Sequence, residues 1–202
     1  MSIVSRTADQ LIFIVSGPAG SGKTTLVTRL VAELPSIVKS ISCTTRKPRP
    51  GEQGGKDYFF LTRQAFQERL HLGEFLEHVH IFGHDYGTSK EFVLEQQRQG
   101  KDVVLIIDTQ GALQVQKILS KRAIFIFIIP PSFIILKERL LQREGKENVE
   151  DVDARMTQAY REVEMISHYD YHVVNDRLDS AYDVLKSIFI AERHRIRREL
   201  GV

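Results

Sequence analysis

Three runs of continuous apolar residues mark the chain: Leu11-Ile12-Phe13-Ile14-Val15, Val103-Val104-Leu105-Ile106-Ile107 and Ala123–Ile129. Unbroken apolar runs of this length suit parallel strands buried on both faces. With two shorter runs they predict strands over 10–16, 37–41, 101–108, 123–129 and 171–174. Helical patterns fall between them, over 25–34, 89–99, 110–119, 132–143, 150–168 and 178–199. The punctuation agrees: Pro35 ends the first helix, Gly100 the second, and Pro130-Pro131 halts a strand before Ser132 caps the next helix. Strands alternating with helices predict an α/β fold, a parallel sheet flanked by helices, with sites at the carboxyl ends of the strands near Ser16, Ser42, Asp108, Ile129 and Asn175.

Residues 42–88 break that rhythm. A polar stretch rich in proline and glycine, 42–57, cannot form a regular element. A strand over 58–61 and a helix capped by Thr62 and stopped by Gly73 follow. Residues 74–80 alternate as an antiparallel strand, and 83–88 read as a turn and a short extended piece. The partition is a core (1–41, 89–131 and 156–202), a small inserted β-rich subdomain (42–88) and a helical lid (132–155) in one 202-residue domain.

The first strand runs into Gly17-Pro18-Ala19-Gly20-Ser21-Gly22-Lys23-Thr24, and a helix opens at Thr25. Strand, glycine-rich turn and helix in this order match the phosphate-binding loop, G-x-x-x-x-G-K-[ST]. Backbone N–H groups converge there, and the helix N-terminus adds partial positive charge. In this pattern Lys23 reaches the β- and γ-phosphates, and the Thr24 hydroxyl ligates Mg²⁺. The core is therefore expected to be of the P-loop NTPase kind and to bind a nucleoside triphosphate.

Composition narrows the field. The 28 Lys and Arg residues nearly balance 26 Asp and Glu, a net charge of +2 that does not suit a nucleic-acid binder. The single cysteine, Cys43, excludes an intrachain disulfide and fits a reducing, cytoplasmic setting. Residues 1–10 lack the apolar core of a signal peptide, and the longest apolar run, 123–131, is too short to span a bilayer. Neither nucleic acid nor membrane is expected as a partner; a monomer and a homodimer both remain open.

Arginines supply the next clue. Arg46, Lys47 and Arg49 sit among Pro48 and Pro50, and a stiffened loop fixes where guanidinium forks point. Arg139 and Arg143 share one helix face, and Arg155 lies on the next helix across a polar loop. Positive charge around a triphosphate, under a segment able to close, suits phosphoryl transfer with water excluded.

On these residues the chain resembles the guanylate kinases over Phe13 to Tyr182. The marks are the phosphate loop, Ser42-x-Thr44-Thr45-Arg46-x-Pro48-Arg49-Pro50-Gly51-Glu52, Gly55-Lys56-Asp57-Tyr58-x-Phe60, Gly73-Glu74-Phe75-Leu76-Glu77, Tyr86-Gly87-Thr88, Ile107-Asp108-x-Gln110-Gly111 and Pro130-Pro131-Ser132. The resemblance implies ATP and GMP as substrates, ADP and GDP as products, and Mg²⁺. It implies that Arg46, Arg49, Tyr58 and Tyr86 hold the GMP phosphate, and that Ser42, Glu77, Thr88 and Asp108 face the guanine, with Asp108 alternatively ordering a water on Mg²⁺ as an acid that ends a core strand. It places Gly17 through Thr25, Arg139 and Asn175 on ATP, with Asn175 at the adenine. It makes Lys23, Arg49, Arg143 and Arg155 the groups that stabilise the transferring phosphoryl. On spacing alone Glu77 reads as an exposed strand residue, but a carboxylate there suits the adjacent N1–H and 2-amino donors of guanine.

Two positions depart from the family pattern. Ala19 stands where serine is frequent, and Ile106 stands where relatives commonly carry an acid. Two other functions compete: a non-catalytic protein-binding module of the same fold, and a kinase for another phosphorylated small molecule such as a ribose phosphate. The intact phosphate loop opposes the first, and Glu77 with the paired tyrosines opposes the second.

Overall fold

The computed structural model describes residues 10–119, 123–144 and 149–196. Five strands form one parallel sheet in the order β2-β7-β1-β8-β9: β1 (Ile12–Ser16), β2 (Ile37–Lys39), β7 (Asp102–Ile106), β8 (Ala123–Ile129) and β9 (Tyr171–Val174). β1 lies at the centre, paired through Ile12↔Val103 on one side and Ile12↔Ala123 on the other. Its five residues are all buried, as a strand covered on both faces requires.

Two apolar layers cover the sheet. On one face Phe13, Val15, Ile126 and Ile128 pack against α1 (Lys23–Glu33) and α7 (Leu178–His194), and Phe13 stacks on Phe189 at 3.8 Å between ring centroids. On the other, Ile14, Leu105 and Phe125 meet α3 (Lys90–Arg98) and α4 (Thr109–Leu119). Among the described residues no helix is long and apolar enough to cross a membrane.

The second sheet lies wholly within 43–89, in the order β4-β3-β6-β5: β3 (Cys43–Thr44), β4 (Phe59–Phe60), β5 (Phe75–Ile81) and β6 (His84–Ser89). Helix α2 (Arg63–His71) packs Phe66 onto Phe75 of this sheet, and its cap is as expected, with Ala65 N–H donating to Thr62 Oγ1 at 3.1 Å. Helices α5 (Phe133–Glu144) and α6 (Val149–Glu164) bury Leu136, Leu140, Val152, Met156 and Ala159 against each other, a small core of their own.

Several boundaries differ from the sequence expectation. The strand predicted over 37–41 stops at Lys39, because the chain leaves for the second sheet; Ser42 therefore opens the insert rather than ending a core strand. The extended piece over 83–88 is a full six-residue strand, since it has β5 and β3 as partners. The helix expected over 150–168 tightens to a 3-10 turn at Met165–His168. The last helix, expected to reach residue 199, ends at His194, where Arg195 turns extended. Residues 1–9, 120–122, 145–148 and 197–202 lie outside the described residues, and with them the amino-terminal reading and the loop between α5 and α6.

Candidate active site

The phosphate loop joins β1 to α1 with little room to spare. Gly17 has φ 138°, and a side chain there would run into the Ile128 carbonyl of the neighbouring strand. Gly22, at φ 93°, is the cap residue of α1 and provides no side-chain cap, so the first amides of the helix remain available to an anion. They border a pocket lined by Ala19, Gly20, Gly22, Lys23, Thr24, Thr25 and Arg139. The Lys23 ammonium donates to the carbonyls of Gly17 (2.5 Å) and Pro18 (2.9 Å). Ala19 is exposed, so its difference from serine leaves the backbone cradle intact.

Asn175 and Arg139 brace this loop. The buried Asn175 amide donates to the Ser21 carbonyl at 2.8 Å, and Arg139 Nη1 donates to the Asn175 carbonyl at 3.0 Å. Asn175 thus ties the end of β9 to the phosphate loop, a contact that the sequence reading, which placed it at the adenine, did not anticipate.

A second cluster forms on the insert. Arg46 Nη2 lies 2.8 Å from Glu52 Oε1, and Glu52 Oε2 accepts the Arg49 backbone N–H at 2.8 Å. The guanidinium sits 5.3 Å from the Tyr58 ring centre, and Tyr58 meets Tyr86 edge-on at 6.1 Å. Arg46, Tyr58 and Tyr86 therefore gather as one group, while the Arg49 residue is exposed beside them. Arg46 holds the Glu52 carboxyl below its ordinary range, and burial pushes the Tyr58 hydroxyl up. Glu52 is the organiser that the sequence reading left without a role. Its signal was present, three residues after Arg49 at the end of a proline-stiffened loop.

The third cluster holds Glu77, Thr88 and Asp108. Glu77 is 3% exposed, which corrects the reading from spacing alone. The β5–β6 pairing sets Glu77 opposite Thr88, and α4 covers that face. Thr88 Oγ1 donates to Glu77 Oε1 at 2.6 Å, and Glu77 Oε2 is buried without a partner. Burial, helped by the charge of Asp108 and opposed by the Thr88 bond, pushes the Glu77 carboxyl up to about 7. Asp108 lies two residues beyond the end of β7, where its Oδ1 accepts the Gly111 N–H at 2.8 Å. Ser42 contributes a backbone carbonyl that accepts the Phe59 N–H, and among the described residues no side-chain hydrogen bond ties it to Glu77.

Arg155 stands on α6 with its guanidinium 6.0 Å from the ring centre of Phe82, at the tip of the β5–β6 hairpin. Arg143 is on the last turn of α5, and its side chain lies outside the described residues. Seven residues after Arg155, on the same face of α6, stands Glu162. It is 7% exposed, in the field of Lys23 and Asp108, and burial pushes its carboxyl up to about 7. Sequence reasoning missed it; the spacing from Arg155 was the available sign.

Comparison with known proteins identifies the family. The guanylate kinase family model matches residues 9–192. The guanylate kinase of Protochlamydia amoebophila is 51% identical over 94% of this chain and 94% of its own length. That of Thermotoga maritima is 44% identical over 93% of this chain and 89% of its own. A crystal structure of guanylate kinase from Anaplasma phagocytophilum superposes with a TM-score of 0.77 at 32% identity, covering 96% of this chain and 92% of that one. With a phosphate loop at the head of α1, a buried carboxylate on the inserted sheet and relatives matched over nearly their whole length, the chain belongs to the guanylate kinase family, the kinases that phosphorylate GMP with ATP to give GDP and ADP.

Proposed function

We propose that this chain performs the family reaction through two anion sites facing one cleft. The loop from Gly17 to Thr25, with Lys23 and Arg139, grips the triphosphate of ATP, and Asn175 holds that loop in shape while bordering the adenine. Arg46, Tyr58 and Tyr86, with Arg49, form the cradle for the GMP phosphate: cationic forks and phenol hydroxyls suit a dianion. Glu77, with Thr88 and Asp108 beside it, reads the base, and Ser42 completes the set.

The observation that carries this reading is Glu77: a buried carboxylate with one oxygen held by Thr88 and the other unpartnered. Guanine offers N1–H and its 2-amino group side by side to such an acceptor. Adenine does not, and its binding leaves a buried carboxylate unsatisfied.

An oxygen of the GMP phosphate attacks the γ-phosphorus, the bond to the β–γ bridging oxygen breaks, and ADP leaves. The attacking group is already ionised, so no general base is required. Lys23, Arg49, Arg143 and Arg155 spread positive charge along the transferring group, and closure of α5 and α6 excludes water. Mg²⁺ fits at Thr24, whose residue is exposed beside Lys23 at the pocket rim and offers the hard oxygen that this ion prefers. When bound, the ion neutralises charge on the β- and γ-phosphates. We place the protein in the cytoplasm, where the lone buried Cys43 stays reduced.

The test is a coupled assay of ADP formation from ATP with GMP, AMP, UMP and CMP compared. GMP is expected to be preferred strongly, and equal turnover of all four nucleotides would overturn the reading.

A further inference from the structure

Gly111 is the third residue of α4, and its backbone does not need a glycine: its φ is not positive. Within a helix glycine is a poor choice, because it gives up more chain freedom than alanine. Space explains it instead. A Cβ at Gly111 would lie 2.5 Å from Glu77 Oε2 and 3.2 Å from both Glu77 Cδ and Asp108 Oδ1.

Neither backbone at that contact is free to retreat. Thr88 holds the other Glu77 oxygen at 2.6 Å on a strand whose register is fixed by β6. On the helix side Gln114, one turn after Gly111, clasps the strand: its Oε1 accepts the His78 N–H at 3.2 Å and its Nε2 donates to the His78 carbonyl at 2.7 Å. These two bonds dock α4 against β5 at the residue next to Glu77. The softest group in the contact is then the carboxylate itself.

We propose that Gly111 is a positioning residue for base selection, with Gln114 as the clasp that makes α4 a fixed wall of the guanine pocket. The missing side chain leaves the free oxygen of Glu77 where it can accept from a ligand. Any side chain at 111 pushes that oxygen off its line while the fold stays intact. This inference rests on the reading of Glu77 as the group that recognises guanine.

The experiment compares Gly111→Ala with Glu77→Gln and the unmodified chain. GMP and ATP affinities are measured by calorimetry, steady-state constants with GMP and AMP, and melting temperature. Gly111→Ala is expected to weaken GMP binding and to lower the GMP-over-AMP preference by about tenfold or more, the size of a lost buried polar match. ATP affinity stays unchanged, and the melting temperature holds or rises because alanine favours the helix. Unchanged GMP affinity and preference in Gly111→Ala would overturn the proposal. So would a fall in melting temperature with equal loss of ATP and GMP binding, the mark of a packing position. If Glu77→Gln lowers the preference and Gly111→Ala does not, this inference fails and the reading of Glu77 stands. If Glu77→Gln changes nothing, the reading of Glu77 itself fails.

Discussion

Arg46 and Glu52 form a half-buried ion pair, Nη2 to Oε1 at 2.8 Å, with side-chain exposures of 13% and 20%. The second Glu52 oxygen takes the Arg49 N–H, so one carboxylate fixes both a guanidinium and the loop carrying the next arginine. Such a pair is more than a surface contact, because it sets the direction of the fork proposed to meet the phosphate. Glu52→Gln is expected to raise KM for GMP about tenfold, equivalent to about 1–2 kcal/mol, with KM for ATP unchanged. Steady-state kinetics with each substrate varied in turn checks it, and a parallel rise in both constants counts against it.

Asn175 plays the corresponding part at the other site. Its amide bond to Ser21 is buried and ties loop to sheet. Asn175→Ala leaves the Ser21 carbonyl without that donor, at about 1–2 kcal/mol. KM for ATP is expected to rise about tenfold while KM for GMP holds, the mirror image of the Glu52 variant.

Lys23 is the ammonium at the centre of the phosphate loop, within reach of the Gly17 and Pro18 carbonyls. Lys23→Ala removes a point charge from the transferring group and is expected to lower kcat by about 10²-fold or more. A near-normal kcat in a coupled assay would exclude this role.

On the proposed reading, Glu77 makes GMP recognition dependent on pH. Its carboxyl is pushed up to about 7, and only the ionised form accepts both guanine donors. KM for GMP should therefore fall as pH rises from about 6 to about 8, and Glu77→Gln should flatten the curve because an amide has one acceptor and no charge. KM for ATP, measured over the same range, is expected to lack this slope.

Glu162 gives a stability prediction whose sign follows from burial. Its folded-state carboxyl is raised from 4.5 to about 7, so the folded chain holds this proton longer than the unfolded chain does. The group's contribution to stability then falls as pH rises from about 4.5 through about 7, by on the order of 3 kcal/mol in full. Glu162→Gln removes that cost. Its melting temperature should exceed that of the unmodified chain at about pH 8, and the gap should shrink toward about pH 5. Melting curves at the two pH values decide it.

The order of strands and helices, the glycine turn before Lys23 and the stiffened loop around Arg46 could all be read from the chain, because each is a local pattern. An apolar run of five residues, a glycine turn before Lys23 and a proline-stiffened pair of arginines mean the same thing wherever they lie in space. Thr62 and Ser132 are caps by the same logic, and both accept the N–H three residues on. What no local pattern contains is the distance between residues far apart in sequence. Glu77 looked exposed from its spacing, and it is buried because α4, more than thirty positions later, covers its strand. Asn175 reaches Ser21 across 154 positions, and Glu162 comes into the field of Lys23 from the far end of the chain only through the tertiary fold. The sequence alone determined the kind of fold and the chemistry of its loops. The packing of helices on two sheets decided which carboxylates lose their water, and that loss gives Glu77 and Glu162 their unusual affinity for protons.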